Sequence, residues 1–161
     1  MIIIVCGVSG TGKSTIGKLL ASKLQLPFYD GDDFHPKSNV QKMQNGTALN
    51  DQDRAPWLTQ LSTELAQWES NKGAVLACSA LKESYREILS TKCKEPITWV
   101  VLNGSKALLT ERLDARKGHF FDSHMLTSQL NTLELPDYGL VINVALTPEE
   151  IIDTISTHVQ G

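Results

Sequence analysis

Apolar residues along this chain fall into two patterns, short unbroken runs and longer stretches at helical spacing. Residues 2–6 read IIIVC, β-branched and without polar alternation, as expected of a strand buried on both faces. Similar short runs at 26–29, 74–78, 97–102 and 140–144 predict four more strands. Helices are predicted between and after them, at 13–24, 36–44, 51–70, about 82–89, 105–116, about 125–133 and from 147 onward. The clearest is 51–70, where Trp57, Leu58, Leu61, Leu65 and Trp68 recur at helical spacing and Gly73 lies just beyond. Boundary residues agree: Pro36 near a first turn, Gly46 and Gly118 as stops, Ser105 as an N-cap, and Thr147-Pro148-Glu149-Glu150 as a capping box. Strands separated by helices imply an α/β fold, a parallel sheet of about five strands covered on both faces, in one domain across 1–161. No internal repeat, low-complexity tract or linker interrupts it.

The turn between the first strand and the first helix carries the strongest chemistry. GVSGTGKS, residues 7–14, fits the phosphate-binding pattern G-x-x-x-x-G-K-[ST] in the required strand–turn–helix context. Gly7, Gly10 and Gly12 let the loop wrap, so that backbone N–H groups from Gly7, Val8, Ser9, Thr11, Lys13, Ser14 and Thr15 face an anion at a helix N-terminus. Lys13 adds a charge for the β- and γ-phosphates, and the Ser14 hydroxyl is a Mg²⁺ ligand. ATP and Mg²⁺ are the cofactors this predicts. The ordinary alternative, a glycine-rich turn that binds nothing, does not explain the lysine and hydroxyl in register.

A second unusual stretch follows, YDGDDFHP at 29–36. Like charges repel, so folding alone gives no reason to gather Asp30, Asp32, Asp33 and His35. Of the predicted strands, only the one at 26–29 is followed by a carboxylate, Asp30, the candidate metal-side acid. In an extended segment Asp32, two residues on, projects to the same side. One carboxylate would then serve the metal and the other a substrate hydroxyl, the division that phosphoryl transfer to an alcohol needs. Asp33 reads as a solvated acid capping the next helix.

Composition narrows the partners. The 161 residues are 41% hydrophobic with a formal net charge of −3, so nothing points to nucleic acid or an anionic membrane surface. No stretch approaches the roughly 20 apolar residues of a membrane span. The apolar start lacks a basic leader and runs into the glycine-rich motif, so it reads as a strand and not a signal peptide. Cys6, Cys78 and Cys93 lack CxxC spacing and read as reduced thiols of a cytoplasmic protein.

Taken in order, GVSGTGKS, DGDDFHPKSNVQKMQNGTALNDQDRAPWL, ACSALKESYREIL and RLDARKGHFFDSHMLTSQLNTLE resemble the gluconate kinases, small P-loop kinases related in fold to the shikimate kinases. The resemblance runs along nearly the whole chain. It implies a P-loop-type three-layer α/β/α sandwich that phosphorylates gluconate on its 6-hydroxyl with ATP and Mg²⁺. It also suggests a homodimer. Lys13, Asp32 and Arg116 would be catalytic, with Asp32 deprotonating the acceptor. His35, Lys42 and Ser79 would help form the sugar-acid pocket. Arg54 and Arg86 are both candidates for the carboxylate, since a guanidinium binds one by two parallel hydrogen bonds; the ordinary alternative for either is a salt bridge to a nearby acid. Residues 112–125 look like a lid. Within it Arg112 would pack on the adenine, Arg116 would reach the phosphates and His119, with Gln129 beyond, would contact the sugar acid. Ala48 stands where the family usually has proline, and the segment after Glu134 is shorter than usual.

Two alternatives remain at this level. One is a kinase of another small hydroxy acid such as shikimate, although a shikimate site is expected to carry a glycine-rich turn where this chain has CSALK. The other is a nucleotide-dependent switch or binding module, which would need no acceptor-hydroxyl base.

Overall fold

The computed structural model describes residues 1–115 and 123–160. Five strands form its sheet: β1 Ile2–Cys6, β2 Phe28–Asp30, β3 Ala74–Ala77, β4 Thr98–Asn103 and β5 Leu140–Asn143. All pairs are parallel, in the order β2-β3-β1-β4-β5. The helices are α1 Lys13–Leu24, α2 Lys37–Gln44, α3 Asp51–Ser70, α4 Glu83–Ser90, α5 Lys106–Asp114, α6 Ser123–Thr132 and α7 Pro148–Gln160. Most element ends fall within one or two residues of the expected ones, the usual fraying of helix and strand termini. Arg116, Gly118 and His119 lie outside the described residues, and with them the middle of the expected lid.

β1 is central and fully buried, which explains its unbroken apolar run. Helix α1 packs with α7, and α3 packs with α4, giving the layers of an α/β/α sandwich. Helix α3 contributes most of one layer: Trp57, Leu58, Leu61 and Leu65 are at most 1% exposed. Trp68, at its other end, stacks on Tyr29 of β2 with ring centroids 3.9 Å apart and meets Phe34 edge-on. Asn50 and Asp53 form a reciprocal capping box at its start. The Thr147–Glu150 box expected at α7 is present as well. Cys6 and Cys78 are buried free thiols, and burial pushes Cys6 up to about 12.

Two expectations around the acidic cluster need correction. The chain after β2 is not extended: Gly31–Phe34 is one turn of 3₁₀ helix. Asp33 caps nothing either. It is Asp30 whose carboxylate caps that turn, accepting from the Asp32 N–H at 3.0 Å, while α2 begins at Lys37 after Pro36, with no side-chain cap. A carboxylate two residues before a free N–H satisfies it locally, and this competes successfully with continuing the strand.

Parallel sheets offer ligands a crevice at the carboxyl ends of the strands, where neighbouring connections diverge. Here that point lies between β1 and its neighbours β3 and β4, with the glycine-rich loop rising from β1. Leu61 of α3 is fully buried in the main core. Leu61→Ala is expected to cost about 2–5 kcal/mol of unfolding free energy, measured by urea denaturation.

Candidate active site

The phosphate loop is held by its backbone conformation. Gly7 has φ +144°, and a Cβ there would lie 2.5 Å from the Leu102 carbonyl oxygen. Gly12 is the left-handed N-cap of α1, which has neither a side-chain cap nor an acidic residue in its first turn. Its leading N–H groups and positive dipole end are therefore left for an anion. The Thr11 hydroxyl donates to the Val8 carbonyl at 2.8 Å, and the Lys13 ammonium does so at 3.2 Å, folding the lysine back over the loop. Burial lowers the Lys13 pKa, and the charges of Asp32 and Asp30 work against that fall.

Ser14 and Asp30 meet as the metal reading requires. The Ser14 hydroxyl donates to Asp30 Oδ2 at 2.8 Å. Two hard oxygen donors beside a phosphate loop suit Mg²⁺, which keeps several waters and takes phosphate oxygens as its remaining ligands.

Two cavities share a wall. One is lined by the loop, Asp30, Ala77 and Cys78; the other by His35, Arg54, Trp57, Ser79, Ser128 and Gln129. Ser9, Lys13 and Asp32 line both. Enclosure raises the Asp32 pKa, Lys13 opposes that rise, and Asp30 and Asp33 reinforce it. The side chain keeps 56% of its exposure, so water in the cavity also opposes the rise.

His35 is fixed from three sides. Its ring stacks on Trp57 at 4.1 Å, and the Trp57 indole N–H donates to the Gly31 carbonyl at 2.7 Å. Asn39 Nδ2 donates to the Asp53 carbonyl at 2.8 Å, which sets the orientation of that amide, and lies 3.2 Å from His35 Nδ1. Nδ1 is therefore the acceptor, and the ring proton sits on Nε2, 3.9 Å from Asp32 Oδ1. Burial lowers the His35 pKa to about 4, with the Arg54 charge adding to the effect, so the ring is neutral at pH 7.

The basic candidates separate. Arg54 lines the acceptor-side cavity, and among the described residues no carboxylate pairs with it; Asp51 and Asp53, just before it, are taken by lysines. Lys42 is bound to Asp53 at 2.6 Å and is not in the cavity wall. Arg86 departs further from expectation. It is 2% exposed, donates to the Ala80, Leu81 and Glu134 carbonyls, and pairs with Glu83 at 3.1 Å. Its fork braces the turn after β3, where Ala80 adopts φ +39°, and it is not among the residues lining the cavity that Ser79 lines. Gln129 does reach the cavity, and its Oε1 accepts the Ser9 N–H at 2.7 Å, tying α6 to the phosphate loop. Arg112 donates to the Val144 carbonyl at 2.7 Å, beside the end of β5.

Sequence reading missed Asn39 and Trp57. Asn39 stands in the first turn of α2, four residues after His35, which itself lies before the helix; Trp57 is indistinguishable in sequence from a core position. Met43, Leu49 and Met125 form a small separate core against which Ala48 packs, and all four line the cavity.

A central-strand phosphate loop, joined through Ser9, Lys13 and Asp32 to a second cavity with its own cation, Arg54, defines a P-loop protein arranged for phosphoryl transfer. The shikimate kinase family model matches residues 9–155. The gluconokinase of Gluconobacter oxydans is 44% identical, with 99% of this chain and 91% of that protein covered. The thermoresistant gluconokinase of Escherichia coli is 42% identical over 84% of this chain and 77% of its own. Among solved structures, a gluconokinase from Sinorhizobium meliloti superposes with TM-score 0.90 at 40% identity, covering 99% of this chain and 91% of that one. The chain belongs to the shikimate kinase family and, within it, to the gluconokinases.

The His35 environment has a stability signature. An unfolded histidine titrates near 6.5 and the folded one near 4. Its contribution is therefore complete above about pH 6.5 and is lost as pH falls toward 4, for a total of about 3 kcal/mol. Urea unfolding between pH 7 and 4 should show this decline in the native protein, and a flatter profile in His35→Gln.

Proposed function

We propose that this chain catalyses ATP + gluconate → ADP + 6-phosphogluconate with Mg²⁺. The observation that carries the proposal is the shared wall of Lys13 and Asp32 between the phosphate-loop cavity and a second cavity lined by Arg54, which has no carboxylate partner among the described residues. Gluconate is a linear polyol with a carboxylate at one end. Arg54 receives the carboxylate; His35, Gln129 and Ser79 meet hydroxyls; the far hydroxyl reaches Asp32. The names of the relatives support this choice of acceptor.

Transfer needs few protein groups. The acceptor oxygen forms a bond to the γ-phosphorus as its proton passes to Asp32. The bond to the bridging oxygen breaks, and its electron pair leaves with ADP. A carboxylate whose pKa is raised is a better proton acceptor than an ordinary aspartate. Lys13 meets charge on the transferred group, and the N–H groups of the loop orient the phosphates. Ser14 and Asp30 would hold Mg²⁺, which when bound would supply charge neutralisation for the phosphates. The stretch between α5 and α6 is proposed as a lid bringing Arg116 and His119 over the substrates, with Arg112 at the adenine. Cytoplasmic location, supported by the free thiols of Cys6, Cys78 and Cys93, and a homodimer, suggested by the family resemblance, complete the reading.

Coupled assay of ADP release with gluconate, shikimate or no acceptor tests the reaction. Gluconate alone should stimulate strongly; equal rates without acceptor would indicate a hydrolytic switch. Lys13→Ala should lower kcat by about 10²–10³. Asp32→Asn should lower it by about 10²–10⁴ with ATP affinity nearly kept. The acid limb of native kcat/KM should lie above the ordinary aspartate range, because the base must be ionised and its pKa is raised.

A further inference from the structure

Beside the acceptor cavity, a chain of three side chains runs from Arg54 outward. Arg54 Nη1 donates to the Tyr85 hydroxyl at 3.1 Å, and that hydroxyl donates to Asp51 Oδ1. The direction is fixed by chemistry, since a guanidinium only donates and an ionised carboxylate only accepts. The Arg54 guanidinium also lies 5.4 Å from the centre of the Tyr85 ring. Asp51 is held from its other side by Lys82 at 3.2 Å. Asp51 and Arg54 stand three residues apart in the first turn of α3, a spacing that favours a direct ion pair. The described structure contains none. Tyr85, reaching across from α4 and 3% exposed, occupies the space between them.

We propose that Tyr85 is a positioning residue for the acceptor's carboxylate: its hydroxyl holds the Arg54 guanidinium at the cavity and keeps Asp51 from neutralising it. This rests on the reading of Arg54 as the carboxylate ligand. Removing the hydroxyl while keeping the ring takes from Asp51 one of its two side-chain donors, leaving Lys82, and lets the freed oxygen pair with Arg54. The arginine is then drawn away from the cavity and its charge is spent. Specificity for a sugar acid over a neutral polyol thus depends on a residue that touches neither substrate.

The test compares Tyr85→Phe, Tyr85→Phe with Asp51→Asn, and Arg54→Lys, each confirmed folded by its melting curve. Tyr85→Phe should raise KM for gluconate about tenfold, with KM for ATP unchanged and kcat little affected. Adding Asp51→Asn should return most of the lost affinity, because no carboxylate then competes for Arg54. A tyrosine that merely supports the fold would show no such recovery. Unchanged gluconate KM in Tyr85→Phe, equal rises for both substrates, or a rise that Asp51→Asn does not reverse would each overturn the proposal. Arg54→Lys separates the two levels. If it leaves gluconate KM unchanged, the carboxylate reading fails and takes the proposal with it; if it raises KM while Tyr85→Phe does not, only the role of Tyr85 fails.

Discussion

Lys13 is placed under opposing demands, and much of the site follows from them. Its ammonium has to stand where phosphate oxygens arrive, so it is drawn over the loop and into a region that disfavours its charge. An ammonium in such surroundings needs anions nearby. The chain supplies Asp32 and Asp30 within one turn of 3₁₀ helix, at the edge of the same cavity. The carboxylates in turn are crowded and partly desolvated, which raises Asp32 toward the range useful to a base. The gathering of acids at 30–33, unfavourable by itself, is balanced by the lysine and, on the reading proposed above, by the Mg²⁺ that Ser14 and Asp30 would hold.

A similar apportioning of charge operates at the start of α3. Asp51 and Asp53 stand just before Arg54 in the first turn of the helix and would be its natural partners. Each is instead engaged by a lysine from elsewhere, Lys82 for Asp51 and Lys42 for Asp53. The arginine, alone of these cations, lines the cavity without a carboxylate of its own among the described residues. An arginine offers planar two-point binding that lysine cannot, so leaving the arginine for a carboxylate ligand and spending the lysines on structure is the arrangement chemistry favours. Connections between distant segments hold this in place: Gln129 to the phosphate loop, Asn39 to the start of α3, and Arg86 to the turns after β3 and α6.

Much of this was legible in the chain. Five apolar runs, their helical separators and the caps at Asn50, Ser105 and Thr147 are local features, set by periodicity and by side chains reaching N–H groups two or three residues away; Ser105 and Thr147 were read in advance, while the Asn50 box was seen only in the structure. The phosphate loop is equally local, because its function is performed by consecutive backbone groups. Ser14 beside Asp30 was expected from the loop motif and the strand end together, and they are in contact. What the amino-acid order could not decide was how long polar side chains are shared out. Arg54 and Arg86 look alike in sequence, each near acids and near a predicted helix start. Only folding reveals that Arg86 is enclosed by carbonyls brought from Ala80, Leu81 and Glu134, whereas Arg54 faces open space. Likewise Trp57 has the periodicity of a core residue and is one, yet its ring also sets the plane of His35. Periodicity reports which side of a helix is turned inward. It does not report which donor, acceptor or ring arrives from another part of the chain to meet it, and at this site those arrivals decide which charges are left for a ligand.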